Sequence, residues 1–420
     1  MTSSSLFDRG NLRSGNRQDE LPEPLHMNSP FIDQLERDLR PVLAAIEARG
    51  LIVDVAKLGH IIDSLQEQRN LAEANAYHLF STSHRINLNS SQELAKLMVD
   101  LGIHQYHFPA TKSGKVSTAK AVLERIDHPA IEHVIQYRSC TKLIASLASY
   151  YNAVDRTTSR LYYQFTNDCA SGRLYTKDMS IQNLPREGRA AIIPGEGKVF
   201  ISADYDSFEL HILSALAGDT YFRRCWQQGI DLHKQVVADM MHIPYDEVTD
   251  AQRRIGKVLN FGILYGQQAP GVAQSLGIRI TEARELMDAY ESRIAEIMAF
   301  KKSAVEAARE HGYVETYYGR CRPLPDLKSP NRSRRLKAER QVVNTAVQGS
   351  GADIAKIVML RLHRAGWQID AMLHDGFLLS VDRDTVEESI PHLRELMEMD
   401  LEGVRLTVSF KVGESWGDCK

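Results

Sequence analysis

Residues 198–219 read KVFISADYDSFELHILSALAGD. Val199, Phe200 and Ile201 form a short β-rich apolar run that ends on Ala203-Asp204-Tyr205. From Glu209 the apolar period becomes helical, with Leu210, Leu213, Leu216 and Ala217 on one side. The pattern predicts a strand that delivers Asp204 at its carboxyl end and turns straight into a helix. A carboxylate so placed either aims at a ligand or merely caps the helix, and this stretch alone does not choose between the two.

The 420 residues are too many for one core, so two or three subdomains are expected. Hydrophobic residues at 43% and charged residues at 25% describe an ordinary soluble globular chain. No apolar run reaches the ~18 residues of a membrane span, and the N-terminus has no signal-peptide core. Five cysteines without CxxC spacing argue against a zinc site or a disulfide framework and fit a reducing cytoplasm. The net charge of −3 does not itself suggest a polyanion partner.

Residues 1–28, rich in Ser, Arg, Asn, Asp and Pro, read as a disordered leader. A helix is expected from Pro30 to Gly50 and a second from Val55 to Phe80. A third, capped by Asn89-Ser90-Ser91-Gln92, runs from Glu93 to Leu101. Residues 111–118, TKSGKVST, make a small basic loop that either holds a phosphate through backbone N–H groups or is simply solvated. With helices resuming over Val122–Tyr151, the first 150 residues look all-helical. Leu161–Phe165 reads as a strand, Ile230–Ile369 as helical, and Ala371–Val381 and Leu406–Val412 as strands around a helix from Val386 to Leu401.

Three further stretches carry chemistry. In QRRIGKVLNFGILYG (252–266), about 100° per residue puts Arg253, Lys257, Phe261 and Tyr265 along one face and Ile255, Leu259 and Ile263 on the other. Cations followed by aromatics suit a ligand with a phosphate end and a flat base end, although an amphipathic surface helix reads the same way. In Met372–Leu379, two apolar runs flank His374-Asp375-Gly376; Asp-Gly is a favoured type I′ turn, or else the tip carries a carboxylate toward Asp204. Between Gly319 and Arg340 eight cations face two anions, the footprint of a nucleic-acid site or of a solvated loop.

Taken together these stretches resemble the family A DNA polymerases, the bacterial DNA polymerase I family. DYDSFEL (204–210) resembles the family's DYSQIEL, RRIGKVLNFGILYG (253–266) its RRxxKxxNFGxxYG, and LHDG (373–376) its VHDE. GYVETYYGRCRPLPD (312–326) is similar to GYVETLFGRRRxLPD, and AERQVVNTAVQGSGADIAK (338–356) to AERxAxNxPxQGTAADIxK. Upstream, SGRLYTKDMSIQNLP (171–185) resembles TGRLSSxxPNLQNIP, and TKSGKVST resembles TKTGxxST. The order holds from about residue 30 to the C-terminus.

The resemblance implies a mainly helical α+β, right-hand fold: thumb 29–158, palm 159–212 and 336–420 with an antiparallel sheet, and helical fingers 213–335. It implies a template-directed DNA polymerase that extends a primer with deoxynucleoside triphosphates, in replication or repair. Two Mg²⁺ ions, with Mn²⁺ as a substitute, would be held by Asp204, Asp375 and the Tyr205 carbonyl. Arg253 and Lys257 would grip the triphosphate, with Lys257 as proton donor, and His233 would assist. Phe261 and Tyr265 would line the sugar and base side, and Glu209, paired with Tyr265, would exclude ribonucleotides. Arg173, Gln182, Asn183, Arg340, Asn344, Gln348 and His374 would contact primer or template. The resemblance also implies a cytoplasmic monomer, bacterial or encoded by a phage or plasmid.

Three departures stand out. Gly376 replaces the last motif acid, with activity expected to survive and metal dependence altered; His211 stands where Arg is common; Gln267 begins a stretch without the usual small residues. With about 30 residues before the thumb, no exonuclease domain and no intrinsic proofreading are expected, and a separate exonuclease or processivity factor is left open as a partner. Two other readings stay open at this point. One is an RNA polymerase or primase-like enzyme on the same palm, against which Glu209 speaks. The other is a weakened DNA-binding accessory protein, which Gly376 invites.

Overall fold

The computed structural model describes residues 28–419 except Ser83, Gln105, Tyr106, Lys112, Ser113, Asp168 and Tyr265. The expected leader, Tyr265 and part of the 111–118 loop therefore lie outside the described residues, apart from Asn28 at the leader's end. The chain divides into two compact units.

One unit gathers Arg49–Gln164, Asp178–Phe200 and Val412–Lys420. Its long helices, Val55–Leu79 and Ala130–Ala153, pack along each other, and Asp54 caps the first by accepting from the Lys57 amide. Ser90 does the same for Ser91–Asp100. Tyr77, Phe80, Leu94, Met98, Leu123 and Val134 close a buried cluster between them. Arg138 reaches out of this bundle to bind the Leu88 and Thr118 carbonyls at 2.7 and 2.6 Å, which ties the 111–118 loop to the helices. The expectation of an all-helical start fails at Leu51–Val53, a strand between Arg160–Leu161 and Ile192–Ile193. Gly50 makes that exit: at φ +59 it takes the left-handed conformation, and a β-carbon there would lie 2.8 Å from the Leu161 carbonyl oxygen.

The other unit holds the described residues up to Ala48, Phe165–Lys177 and Ile201–Lys411. Its sheet runs through residues 408–411, 201–205, 376–382 and 368–373, the last two an antiparallel hairpin with Phe377 opposite Met372. Strand 198–205 is buried almost throughout, as its unbroken apolar run requires. Helix Ser350–Arg364, with eleven buried residues, packs against strand Gln368–Leu373, and helix Phe208–Ala217 packs on that helix and on strand Val404–Leu406. The expected helical run from Ile230 to Ile369 is interrupted by the hairpin Tyr313–Glu315/Cys321–Pro323. Helix Val386–Met397 also stops short of Leu401, because Met399–Leu401 pairs with Val404–Leu406. No disulfide joins the five cysteines, and among the described residues no helix is long and apolar enough to cross a membrane.

Candidate active site

Asp204 ends its strand half-exposed, with the Ser202 hydroxyl donating to its Oδ2 at 2.9 Å. It is not a cap: the helix begins at Phe208, and Ser207 in left-handed geometry (φ +44) occupies the N-cap. Between them Asp206 clasps the turn to the sheet edge. Its N–H donates to the Thr407 carbonyl, and its carboxylate accepts from the Thr407 and Ser409 hydroxyls. Tyr205 is anchored beside it, ring stacked on Phe208 at 4.4 Å and hydroxyl donated to the Met397 carbonyl.

Asp375 sits at the hairpin tip. Gly376 already pairs with Leu373, so the turn residues are His374 and Asp375 rather than Asp-Gly, and His374 carries the positive φ of +59. Gly376 is instead needed for space: a β-carbon there would meet Asp204 Oδ1 at 2.2 Å. Burial, then the charges of Asp204 and Glu209, push the Asp375 carboxyl up to about 6, against the pull of its own backbone N–H and of Arg173. Glu209 itself is paired with Arg173 at 2.5 Å, both largely buried.

The opposite wall is helix Asp250–Leu264. Gly256 lets it cross helix Leu232–Met241 closely, since a β-carbon would stand 2.0 Å from the His233 carbonyl oxygen. The crossing brings the cationic face forward. Arg253 is gripped by Asp231 (Nη2 to Oδ2 2.7 Å), the residue that also caps helix 232–241. Burial raises the Asp231 carboxyl, but the Arg253 and Lys234 hydrogen bonds outweigh it and hold it below the usual range. The helix's inward face is less apolar than its spacing suggests: Asn260 is buried, meets His233 Nδ1 at 2.7 Å and accepts from the Tyr290 hydroxyl. Burial, assisted by Arg253 and Lys257, lowers the His233 imidazole below its ordinary value.

These walls enclose a cleft of ≈480 Å³ lined by Arg173, Glu209, His233, Lys257, Phe261, His374 and Asp375, together with Ser207 and Phe208. Asp204 adjoins it through Gly376. Arg253 opens on a neighbouring cavity that shares Ser207 and His233. Arg340, Asn344 and Gln348 do not line the cleft; they follow one another along helix Arg332–Asn344 and the π-turn Thr345–Gly349. The Asn344 Oδ1 is buried with no hydrogen-bond partner. Gln182 and Asn183 form part of the turn Ile181–Asn183 in the other unit.

The basic segment divides in two. Arg320 is buried, held by Asp353 and Glu36, and Arg322 donates to the Thr345 hydroxyl at 2.9 Å. Arg332, Arg334, Lys337 and Arg340 remain exposed on their helix. Sequence reasoning missed Asp231, Asp206 and Asn260. Only Asp231 left a signal, an acid one residue before a helix and two before His233.

Cations, an aromatic and the Asp375 carboxylate thus converge on one cleft, with the Asp204 carboxylate close to Asp375. The family description "DNA polymerase family A" matches residues 55–418, and the chain belongs to that family. The polymerase domain of Pol1 from M. smegmatis, solved with DNA primer-template and dNTP, superposes with a TM-score of 0.84 at 31% identity, over 93% of this chain and 71% of that one. The thermostable DNA polymerase I of Thermus filiformis is 35% identical across 92% of this chain. DNA polymerase I of Pseudomonas aeruginosa is 32% identical over the same share. The chain spans 48% and 44% of these two relatives. The mainly helical α+β right-hand architecture expected from the motifs is thus borne out.

Proposed function

We propose that this chain is a template-directed DNA polymerase that extends a primer with deoxynucleoside triphosphates. The observation that carries the reading is the cleft itself. Residues from motifs up to 202 positions apart, Arg173, Glu209, Lys257, Phe261 and Asp375, line one cavity with a charge order suited to a nucleotide. Primer–template DNA and the triphosphate are its ligands, as they are the bound molecules of the M. smegmatis domain. Within this reading residues 29–158 act as thumb, 159–212 and 336–420 as palm, and 213–335 as fingers.

Among the described residues no group of three or more His, Cys, Asp or Glu side chains is set to hold a metal, so the fit rests on two carboxylates. It is a good fit for Mg²⁺, a hard cation that takes one or two carboxylates and completes its shell with water and phosphate. Burial, and after it the nearby charges of Asp204 and Glu209, raises the Asp375 carboxyl, and a divalent cation would offset that cost. Asp204, Asp375 and the Tyr205 carbonyl would hold the ions. When bound they supply charge neutralisation and a Lewis acid for the in-line displacement.

The chain's own side chains do the rest. Arg253, braced by Asp231, and Lys257 bind the triphosphate. As the primer 3′-hydroxyl gives up its proton to water and its oxygen bonds to the α-phosphorus, the bond to the diphosphate breaks and Lys257 donates a proton to the leaving oxygen. Phe261 and Tyr265 line the nucleotide, and Glu209, held by Arg173, crowds the 2′ position. Arg173, Gln182, Asn183, Arg340, Asn344, Gln348 and His374 contact the primer–template junction. A labelled primer–template with Mg²⁺ tests this, with deoxynucleotides and ribonucleotides offered separately. Templated extension with deoxynucleotides alone is expected; extension with ribonucleotides only, or none at all, contradicts it.

A further inference from the structure

Beyond Ser207 and His233, which line both spaces, the cleft gives onto a second cavity of ≈380 Å³. It starts at Arg253 and runs between helix Thr220–Gln227 and strand Val404–Leu406, which contribute Arg223 and Arg405. Two acids also line it, and both are engaged. Asp206 takes the Thr407 and Ser409 hydroxyls, and Asp231 takes Arg253 and the Lys234 amide.

Arg223 differs. Its Nε is buried with no hydrogen-bond partner, while its Nη2 approaches the Ala215 carbonyl at 3.5 Å. Unsatisfied buried donors are uncommon and ask for an explanation. The Arg223 guanidinium lines the cavity, and an anionic oxygen there would give it a charge-assisted partner. The remaining walls mix apolar Ile230, Leu232 and Val404 with His211, Gln227 and Thr407, and Arg405 is shared with Glu398 at 3.3 Å, so such an anion would be held loosely.

We propose that this cavity is a transient site for inorganic pyrophosphate, the product freed beside Lys257 in the cleft, on its way past His233 and Arg253 to Arg223 and Arg405. The proposal rests on the polymerase reading for the source of the anion but not for the site. A product must be bound loosely enough to leave, and a half-apolar passage with two outer cations meets that need.

The test is primer extension by the intact chain at rising inorganic pyrophosphate in excess Mg²⁺, for the wild type and for Arg223→Gln with Arg405→Gln. Pyrophosphate inhibition should weaken about tenfold in the double variant, with KM for the deoxynucleotide changed less than about twofold. Unchanged inhibition in a variant that melts like the wild type overturns the proposal. Trp226 stands in the cavity wall, so its fluorescence reads the site without any synthesis. A saturable response to pyrophosphate that is lost in Arg223→Gln and in Trp226→Phe supports the site, even for a chain that extends no primer. No response in the wild type counts against it.

Discussion

Gly376 and Asp204 are packed so closely that the space a side chain would occupy at 376 is already filled by the Asp204 carboxylate. A β-carbon would lie 2.2 Å from its Oδ1 and 2.8 Å from the Ala203 carbonyl oxygen. The departure from the family's acidic residue is therefore built into the arrangement of the two strands. Any side chain at 376 forces Asp204 away from its Ser202 hydrogen bond. Gly376→Ala, and also Gly376→Glu, should slow extension by roughly 10²-fold, the cost of a misplaced catalytic group, with primer–template affinity retained. A Gly376→Glu enzyme working at the wild-type rate would show that the carboxylate has room to move.

The Arg173–Glu209 pair makes a second expectation specific. Glu209→Ala should open the 2′ side of the cleft and admit ribonucleotides. Arg173 holds Glu209 at 2.5 Å, so Arg173→Ala should erode the same selectivity in part, besides weakening primer contacts. The check is the ratio of kcat/KM for deoxy- and ribonucleotides. If Arg173→Ala leaves that ratio untouched, Arg173 does not position Glu209.

Asp375 links metal to stability. Its carboxyl is raised to about 6, so the fold binds its proton more tightly than the unfolded chain does. Without divalent metal, its contribution is favourable at low pH and is lost as pH rises from its ordinary range through about 6. At pH 7 in chelator, Asp375→Asn should therefore be more stable than the wild type, by roughly 1–2 kcal/mol after allowance for partial exposure. Mg²⁺ should raise the melting temperature of the wild type and move that of Asp375→Asn much less. Equal Mg²⁺ shifts in both proteins would remove Asp375 from the metal site.

Lys356 concerns the fold alone. It is fully buried, with its Nζ 2.6 Å from Glu36 and 2.9 Å from Asn167, in a cluster completed by Arg320 and Asp353. Lys356→Met leaves Glu36 short of a partner and should cost about 3 kcal/mol, readable by denaturant unfolding. Adding Glu36→Gln should recover part of that loss; simple additivity would mean that the two do not interact.

Much of this site was legible in the sequence because its elements are local. Strand, turn and helix around Asp204 follow from a change of apolar period, and the 253–257–261 face follows from helical spacing. What stayed hidden depends on residues far apart in the chain. No local pattern announces that Arg320 turns inward to Asp353 and Glu36 while Arg334 stays in water, since both read as cations in a polar run. The hairpin at Tyr313–Pro323 was lost for a related reason: three-residue strands are too short to show a period of two. Gly376 looked like turn chemistry because Asp-Gly usually is, whereas its role is set by a neighbouring strand.

The central claim is that Asp204 and Asp375 serve chemistry and not DNA binding. It is tested most directly by measuring, on the same Asp375→Ala preparation, primer–template affinity and single-turnover extension with Mg²⁺. Affinity close to that of the wild type with extension abolished is the predicted result. Affinity and extension lost together, or extension that persists, would contradict it.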